Sequence, residues 1–425
     1  MLTINRRSFL AATGAVTATA LAACATPSNQ KPIARVVVIG GGFGGATAAK
    51  YIRLWAPDIE VVLVEREVDF VSCPLSNLVL GGSKTIEDLT TGYDTLQRKY
   101  GVKVVRDEAL AIDAEKRTVR LARGDVLTYD RLIVSPGIDF QYDQVPGLQT
   151  ADAQARVLHA WKAGPQTVAL RRQLEALPNG GVYALHIPKA PFRCPPGPYE
   201  RAAQVAFYFK QHKPRSKVLV LDANPDIVSK KGLFLKAWNE LYPGIVEYRP
   251  NSELVSVDAA SNTLSLQFDT VRAGVLNVVP PQQAGRIAQT AKLITANGKW
   301  CGVDFRTFES VAAPGIHVLG DATLSAPAMP KSGFMANNHA KVAAGAVIAL
   351  IKGEEVNPQP IIANTCYSFV SDTDVVHVAS VHKYDAAQKT LVAVPGAGGL
   401  SAQANAIEGQ YAQAWARNIW ADALL

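Results

Sequence analysis

Five cysteines carry the most reactive side chains of this 425-residue chain. Cys24 lies near the N-terminus, and the others are Cys73, Cys194, Cys301 and Cys366. The last four can form structural disulfides in three full pairings, or they can take part in thiol–disulfide exchange, in which a thiolate attacks a disulfide sulfur. Residue type alone leaves both interpretations open.

The sequence after Cys194 favours the reactive interpretation. Pro198-Tyr-Glu200 follows closely, and proline suits the first turn of a helix. We therefore expect the Cys194 sulfur near a helix N-terminus, where the helix dipole stabilises a thiolate.

A glycine motif predicts where a nucleotide binds. The apolar strand Val36–Ile39 runs directly into Gly40-x-Gly42-x-x-Gly45, and Glu65 ends the next strand. Gly40 permits the tight turn, Gly42 lets backbone N–H groups approach a pyrophosphate, and Gly45 lets the following helix pack on the strand. Glu65 is predicted to bind a ribose hydroxyl, so the motif indicates a dinucleotide site.

Two later segments decide which dinucleotide is expected. Tyr129-Asp-Arg-Leu-Ile-Val-Ser-Pro-Gly137 and Ile316-His-Val-Leu-Gly320-Asp321 follow the glycine motif in the order found in flavoproteins of the disulfide-reductase type, which this chain resembles. The resemblance implies FAD, with Asp321 on its ribityl chain. It also implies an α/β fold with two dinucleotide-binding domains, here followed by a small α+β C-terminal domain.

The order of the motifs predicts the domain organisation. The FAD-binding domain is split, and a second α/β domain lies between its two parts. After Pro358 the chain changes to short alternating segments typical of strands. The predicted ranges are a leader at 1–30, the FAD-binding domain at 31–149 and 286–355, the second α/β domain at 150–285 and the C-terminal domain at 356–425.

The second α/β domain is predicted to contain the strands Val182–Ile187 and Val218–Leu221, joined by the helix Tyr199–Lys210. It has no glycine loop of its own. A phosphate loop needs free backbone N–H donors, which prolines remove. The segment from Gly181 to Gly197 contains four prolines, at positions 188, 191, 195 and 196. We therefore predict that NADH does not bind and that electrons enter from another donor.

The N-terminus predicts export. Asn5-Arg6-Arg7-Ser8-Phe9-Leu10 is a twin-arginine signal, which sends already folded proteins to the periplasm. Leu21-Ala-Ala-Cys24 also matches a lipoprotein box with an acylated Cys24, although ordinary cleavage after Ala22 or Ala25 fits almost as well. A lipid on Cys24 is the only membrane contact expected.

Charge excludes one class of function. The net charge is +7, but lysines and arginines are scattered and form no basic stripe interleaved with aromatic residues. We therefore exclude nucleic acid, and retain a positive field that attracts a small anion or an acidic protein. No metal site is predicted.

Four segments resemble the flavoprotein subunit of flavocytochrome c sulfide dehydrogenase, a relative of the sulfide:quinone oxidoreductases. They are Cys73-Pro-Leu-Ser-Asn77 with Gly81-Gly82, Arg193-Cys-Pro-Pro-Gly-Pro-Tyr-Glu200, Trp300 to Ser310, and Cys366-Tyr-Ser. The resemblance implies a thioether from Cys73 to the flavin 8α-methyl carbon and a redox-active Cys194–Cys366 disulfide beside the flavin, with Glu200 nearby.

Simpler interpretations of these residues stay open. Cys73 could be an unlinked packed thiol, and Pro74 stands where an aromatic residue is expected next to a thioether cysteine. Cys301 is expected to pack as a small apolar residue. Glu200, taken alone, would be a solvated charge on a helix face.

The resemblance implies sulfide oxidation with a separate c-type cytochrome subunit as acceptor. Hydrosulfide would open the disulfide, Glu200 would move protons, and the chain would bind no haem because it has no Cys-x-x-Cys-His motif. The alternatives are a sulfide:quinone oxidoreductase, an NADH-dependent flavin reductase and a non-catalytic binding protein. A helix carrying Tyr411, Trp415 and Ile419 is expected to pack on the C-terminal domain.

Overall fold

The computed structural model describes residues 31–425. The predicted leader at 1–30, with its twin-arginine signal and Cys24, lies outside the described residues.

A seven-stranded sheet carries the glycine motif at the carboxyl end of one of its inner strands. Its inner strands read as continuous apolar runs because both faces of the sheet are covered. Its strands come from two separate parts of the chain. Glu309–Ser310 is antiparallel to both of its neighbours, and all the other neighbouring strands pair in parallel. In spatial order they are Val303–Asp304, Glu309–Ser310, Ile316–Val318, Arg131–Val134, Ala34–Ile39, Ile59–Glu65 and Lys103–Arg106.

Two helices pack together on one face of this sheet. The Gly42 helix (Phe43–Trp55) starts directly after the glycine turn, and the Ser332 helix (Gly333–Lys352) is capped by the Ser332 hydroxyl, which accepts the Met335 N–H at 3.0 Å. By length and composition the Ser332 helix could span a membrane. It contributes Ala340, Ala343 and Val347 to the core beneath the sheet, as the central helix of a folded domain does.

The central sheet is parallel and four-stranded, in the order Val246–Arg249, Lys217–Asp222, Val182–Ile187 and Val275–Val278. The predicted strand Val182–Ile187 is confirmed at both ends. The Cys194 helix (Gly197–His212) joins the two middle strands and extends two residues beyond the predicted helix at each end. Helices Pro165–Ala176 and Lys231–Leu241 complete this part of the fold.

The C-terminal region is rich in strands, as its alternating sequence predicted, and its sheet is antiparallel. The Cys366 strand (Ile361–Phe369) pairs with Val375–Asp385, which also pairs with Thr390–Ala393 and Gly399–Leu400. The C-terminal helix (Ala406–Leu424) begins at Asn405, whose side chain accepts the Glu408 N–H at 2.8 Å.

Short elements make up the remaining structure. The strands are Phe70–Val71, Thr90–Thr91, Ala109–Asp113, Thr118–Leu121, Val126–Thr128, Ile138–Phe140, Leu254–Asp258, Thr263–Leu266, Thr270–Arg272 and Gln282–Ala284. The α-helices are Asn77–Gly81, Asp94–Arg98, Ala151–Arg156 and Arg286–Thr290, and Glu87–Leu89, Tyr142–Gln144 and Gly320–Ala322 are 3-10 turns. The predicted domain boundaries stay predictions.

Candidate active site

One cavity of about 750 Å³ brings together nearly all the residues predicted from the sequence. It extends from the glycine turn to the Cys366 strand. The predicted residues that line it are Gly40, Gly42, Glu65, Cys73, Cys194, Glu200, Gly320, Asp321 and Cys366. Gly45 lies behind this lining, where a Cβ atom would overlap the carbonyl oxygen of Gly40.

The glycine turn has the geometry that a pyrophosphate requires. Gly40 has φ of +93°, which favours glycine, and its N–H donates to the Val64 carbonyl at 2.9 Å. A Cβ atom at Gly42 would meet no protein atom within 4 Å, so the backbone there faces the cavity. The first N–H groups of the Gly42 helix have no partner within the helix and can bind an anion.

Glu65 closes the second strand at the edge of the cavity. Its carboxylate accepts the Gly41 N–H at 2.5 Å and the Glu67 N–H at 2.8 Å. These bonds fix the carboxylate beside the glycine turn, where its second lone pairs remain available to a ribose hydroxyl.

Asp321 lies in the 3-10 turn after the strand Ile316–Val318. Its Oδ1 atom is buried and has no hydrogen-bond partner. Burial raises the pKa of Asp321, and the positive charges of Arg193 and Lys331 oppose this. A buried carboxylate oxygen without a partner is unfavourable, so this position suits a ligand hydroxyl such as one from the ribityl chain of FAD.

Cys194 and Cys366 face the same cavity, and both are free thiols in this structure. Cys194 has φ of +58°, a left-handed conformation that costs a non-glycine residue roughly 1–3 kcal/mol and that clusters at functional sites. Its backbone N–H donates to the Lys331 carbonyl and its carbonyl accepts the Gly197 N–H, each at 2.9 Å. The surrounding structure therefore holds Cys194 in this conformation.

The predicted thiolate at Cys194 is wrong for the free thiol. Its sulfur does lie at the N-terminus of the Cys194 helix, since a Cβ atom at Gly197 would be 2.9 Å from it. Burial, however, raises the pKa of Cys194, and the negative charges of Cys366 and Glu200 raise it further. The positive charges of Arg193 and Lys230 lower this pKa, but desolvation of the thiolate outweighs them.

Cys366 has polar partners that Cys194 lacks. The Asn364 amide donates to its sulfur at 3.3 Å, and the buried ammonium of Lys230 donates to its carbonyl at 2.9 Å. Burial raises the pKa of Cys366, while Lys230, Asn364 and Ser332 lower it.

Glu200 is buried, so its interpretation as a solvated charge is wrong. Its carboxylate accepts the Asn77 amide and the backbone N–H of Phe369, both at 2.8 Å. Burial raises the pKa of Glu200, and these two donors oppose the rise together with Lys230 and Arg201. The carboxylate therefore ties the Cys194 helix to the Cys73 segment and to the end of the Cys366 strand.

Cys73 lies on the cavity wall beside Pro74. Its sulfur accepts the Ala163 N–H at 3.4 Å. Cys301, by contrast, is fully buried in the core of the seven-stranded sheet, as predicted.

Sequence reasoning missed three residues that line the site or pack directly behind it. Asn77 lies within the Cys73–Asn77 segment, and only its amide type indicated a role. Arg201 is 2% exposed and donates to Asn77 Oδ1 at 3.0 Å and to main-chain carbonyls, although its neighbours in the helix gave no signal of burial. Lys230 precedes an ordinary amphipathic helix and carried no signal.

Within residues 31–425, no group of three His, Cys, Asp or Glu side chains could hold a metal.

Comparison with family models covers most of the described chain. Residues 167–280 match the central part of the sulfide dehydrogenase (flavocytochrome c) flavoprotein chain. Residues 358–424 match the flavin-binding part of flavocytochrome c sulphide dehydrogenase. Residues 34–171 match the pyridine nucleotide-disulphide oxidoreductase model.

Individual proteins with similar sequences point to the same family and to a related one. The chain is 62% identical over 45 residues to the sulfide dehydrogenase flavoprotein chain of Chlorobaculum thiosulfatiphilum, which covers 11% of this chain and 94% of that sequence. It is 22% identical over 320 residues to mouse mitochondrial sulfide:quinone oxidoreductase, covering 71% and 67% of the two chains.

The solved structure of sulfide:quinone oxidoreductase from Aquifex aeolicus superposes with a TM-score of 0.73 at 19% identity, over 92% of this chain and 91% of that one. The predicted two-dinucleotide-domain flavoprotein fold is thereby confirmed. The family models support FAD as the cofactor, and the glycine turn and Asp321 of this cavity fit its pyrophosphate and ribityl chain.

Proposed function

Because this chain belongs to the family of flavocytochrome c sulfide dehydrogenase flavoprotein chains, we propose that it oxidises sulfide with a Cys194–Cys366 disulfide and FAD, and that it passes the electrons to a c-type cytochrome subunit. One observation carries this proposal: two cysteines 172 positions apart in sequence line the cavity that also holds Asp321 and the glycine turn.

The sulfur chemistry follows from the disulfide. Hydrosulfide attacks one sulfur, a new S–S bond forms and the Cys194–Cys366 bond breaks, leaving a persulfide on one cysteine and a thiolate on the other. Closure of the disulfide, with two electrons leaving the cysteines, releases the sulfane sulfur. When bound, FAD accepts two electrons and can release them one at a time.

Glu200 is the group proposed to take the proton that hydrosulfide releases. It lines the same cavity as Cys194 and Cys366, and its negative charge raises the pKa of both thiols. Burial raises its own pKa, which brings a carboxyl group closer to the range in which it both takes and returns protons near neutral pH.

The central sheet supports the proposal that NADH is not the electron donor. After the strand Val182–Ile187, residues 188–196 form a proline-rich loop, and the helix begins only at Gly197. Asp222, at the end of the next strand, is where a ribose-binding acid would stand. It is fully buried and accepts the hydroxyls of Tyr199 at 2.7 Å and Tyr248 at 3.0 Å, so it is not available to a ribose.

The proposal also includes the electron acceptor and the location of the protein. The family supports a cytochrome subunit, and the sequence contains no Cys-x-x-Cys-His motif for a haem of its own. We propose the periplasm, reached by the twin-arginine route with a possible lipid on Cys24, as its location, and a thioether at Cys73 as the covalent link to FAD.

A quinone acceptor is the second candidate. It is favoured by the likeness to sulfide:quinone oxidoreductases and by the exposed apolar side chains of Leu400, Ile407 and Tyr411 near the C-terminal helix. Reoxidation of the sulfide-reduced protein by a soluble c-type cytochrome, compared with reoxidation by a short-chain quinone, separates the two.

The function is tested by anaerobic absorbance titration of the purified flavoprotein with sulfide and, in parallel, with NADH. Stoichiometric bleaching of the flavin by sulfide alone is expected. Bleaching by NADH alone would contradict the proposal and would leave the cysteines a structural role.

A further inference from the structure

Lys230 is a buried cation that lies outside the wall of the cavity but contacts the strand that carries Cys366. It precedes the helix Lys231–Leu241, has φ of +56° and is 5% exposed. Its ammonium donates to the Cys366 carbonyl at 2.9 Å, the Ser368 hydroxyl at 2.8 Å and the Val376 carbonyl at 3.2 Å. A lysine of the second α/β region thus crosslinks two strands of the C-terminal sheet.

The charge of this ammonium is not matched by a direct carboxylate partner among the ion pairs of residues 31–425. Burial lowers the pKa of Lys230 to about 8. The negative charges that oppose this are, in decreasing order, those of Cys366, Glu200, Cys194 and Glu408. A buried cation of this kind is stabilised when a nearby group becomes an anion.

We propose that Lys230 is a positioning residue for Cys366: it fixes the Cys366 strand through the carbonyl of that residue, and it supplies a positive charge that favours the thiolate form of Cys366, against the effect of burial, once the disulfide is open. The role of Lys230 after opening of the disulfide rests on the proposed function. The effect of Lys230 on the pKa of the free Cys366 thiol is independent of that function.

The charge of Lys230 lowers the pKa of both cysteines, and for Cys366 it is the largest of the lowering effects. The contacts of the two sulfurs also differ. The Ser332 hydroxyl donates to Asn364 Oδ1 at 2.7 Å, and the Asn364 NH₂ group donates to the Cys366 sulfur at 3.3 Å, while the thiol itself lies 3.6 Å from Oδ1. Cys366 therefore has a hydrogen-bond donor at its sulfur and an ammonium at its carbonyl. The Cys194 sulfur packs beside Gly197 and close to the Trp161 ring, which offer it no side-chain donor.

The test measures the pH dependence of Cys366 alkylation in the reduced holoprotein. A Cys194→Ser background keeps Cys366 from forming the disulfide, and mass spectrometry of the Cys366 peptide after iodoacetamide treatment gives the rate. Lys230→Met is expected to move the midpoint upward by about one pH unit, which is about a tenfold lower rate at neutral pH. Lys231→Met, which removes an exposed lysine one residue away, is the matched control and should leave the profile unchanged.

Two further variants separate charge from packing. Lys230→Gln keeps a hydrogen-bond donor without the charge and should shift the profile as Met does, whereas Lys230→Arg keeps the charge and should retain most of the original profile. An unshifted profile in a folded Gln or Met variant would overturn the proposal. If Lys230→Met does not fold, the Gln and Arg variants decide. The readout contains no sulfide, so a failure of sulfide to bleach the wild-type flavin would contradict the proposed function only.

Discussion

The backbone N–H of Phe369 donates to the Glu200 carboxylate at 2.8 Å, across 169 residues of sequence. The other carboxylate oxygen accepts the Asn77 amide at the same distance. Glu200 is thus the point at which the Cys194 helix, the Cys73 segment and the Cys366 strand are joined. The three predicted cysteine positions of the site are therefore held together by one buried acid.

Replacing Glu200 tests this arrangement. Glu200→Gln keeps an acceptor for Phe369 but places an amide donor against the Asn77 donor, whose orientation Arg201 fixes. We expect the free energy of unfolding to fall by about 1–3 kcal/mol. We also expect flavin reduction by sulfide to slow about 100-fold, because a proton acceptor is lost. Stopped-flow absorbance and thermal unfolding measure the two effects, with the exposed Glu240→Gln as control. A rate equal to that of wild type would remove Glu200 from the chemistry.

Cys194 and Cys366 are predicted to be required for flavin reduction by sulfide, and Cys301 is not. Cys194→Ser and Cys366→Ser should each retain FAD and lose reduction by sulfide, because neither can form the disulfide. The matched control is Cys301→Ala, which should keep the reaction and lose about 1 kcal/mol of stability through a small core cavity. Anaerobic titration of each variant gives the result, and an active serine variant at either site would end the disulfide proposal.

Alanine substitutions at two glycines of the turn are predicted to differ in their effect on stability. Gly45→Ala places a methyl group into the Gly40 carbonyl and should cost about 2 kcal/mol or more, with loss of FAD. Gly42→Ala has open space and an ordinary φ of −68°, so its unfolding temperature should stay close to wild type while flavin retention falls. The unfolding temperature and the flavin-to-protein absorbance ratio distinguish them. Equal destabilisation of both variants would be inconsistent with this geometry.

The thioether at Cys73 is tested by acid precipitation. In the wild type the flavin should stay in the protein pellet, and in Cys73→Ala it should appear in the supernatant. Cys301→Ala should behave as the wild type does. Flavin in the supernatant of the wild type would show that Cys73 is an unlinked thiol, in keeping with Pro74 beside it.

Buried histidines predict loss of stability in acid. Burial lowers the pKa of His159 and His339 to about 3 and that of His186 and His317 to about 4. Since these values lie below that of an unfolded histidine, the folded state is fully stabilised above about pH 6.5 and loses stability as the pH falls toward the folded pKa. Each is expected to contribute a loss of roughly 2 kcal/mol at about pH 5.

Unfolding at a series of pH values measures this loss. His186→Gln keeps a donor for the Ser252 carbonyl and should make the pH dependence shallower. His212→Gln, at an exposed position, is the control and should leave it unchanged. If the unfolding free energy depended on pH in the same way in His186→Gln and in the wild type, buried His186 would not be a source of the acid instability.

The sequence by itself determined the elements whose signal is local. The apolar run before Gly40 predicts a buried parallel strand, and Val182–Ile187 was placed at both ends. The C-terminal strands followed from alternation. These patterns can be read because strand and turn preferences depend on neighbouring residues. The glycine motif was found from its spacing after an apolar strand, whereas the roles predicted for Asp321 and the cysteines came from the resemblance to known flavoproteins.

Only the tertiary structure decided the environment of these residues. Glu200 was compatible with a solvated helix face until packing buried it against Asn77 and Phe369. Cys194 lies at a helix N-terminus, as the sequence predicted, but its pKa is raised because desolvation depends on all the surrounding atoms. Lys230 gave no local signal, since its partners are more than 130 residues away in sequence. Burial and charge are sums over the whole fold, and a linear pattern does not contain them.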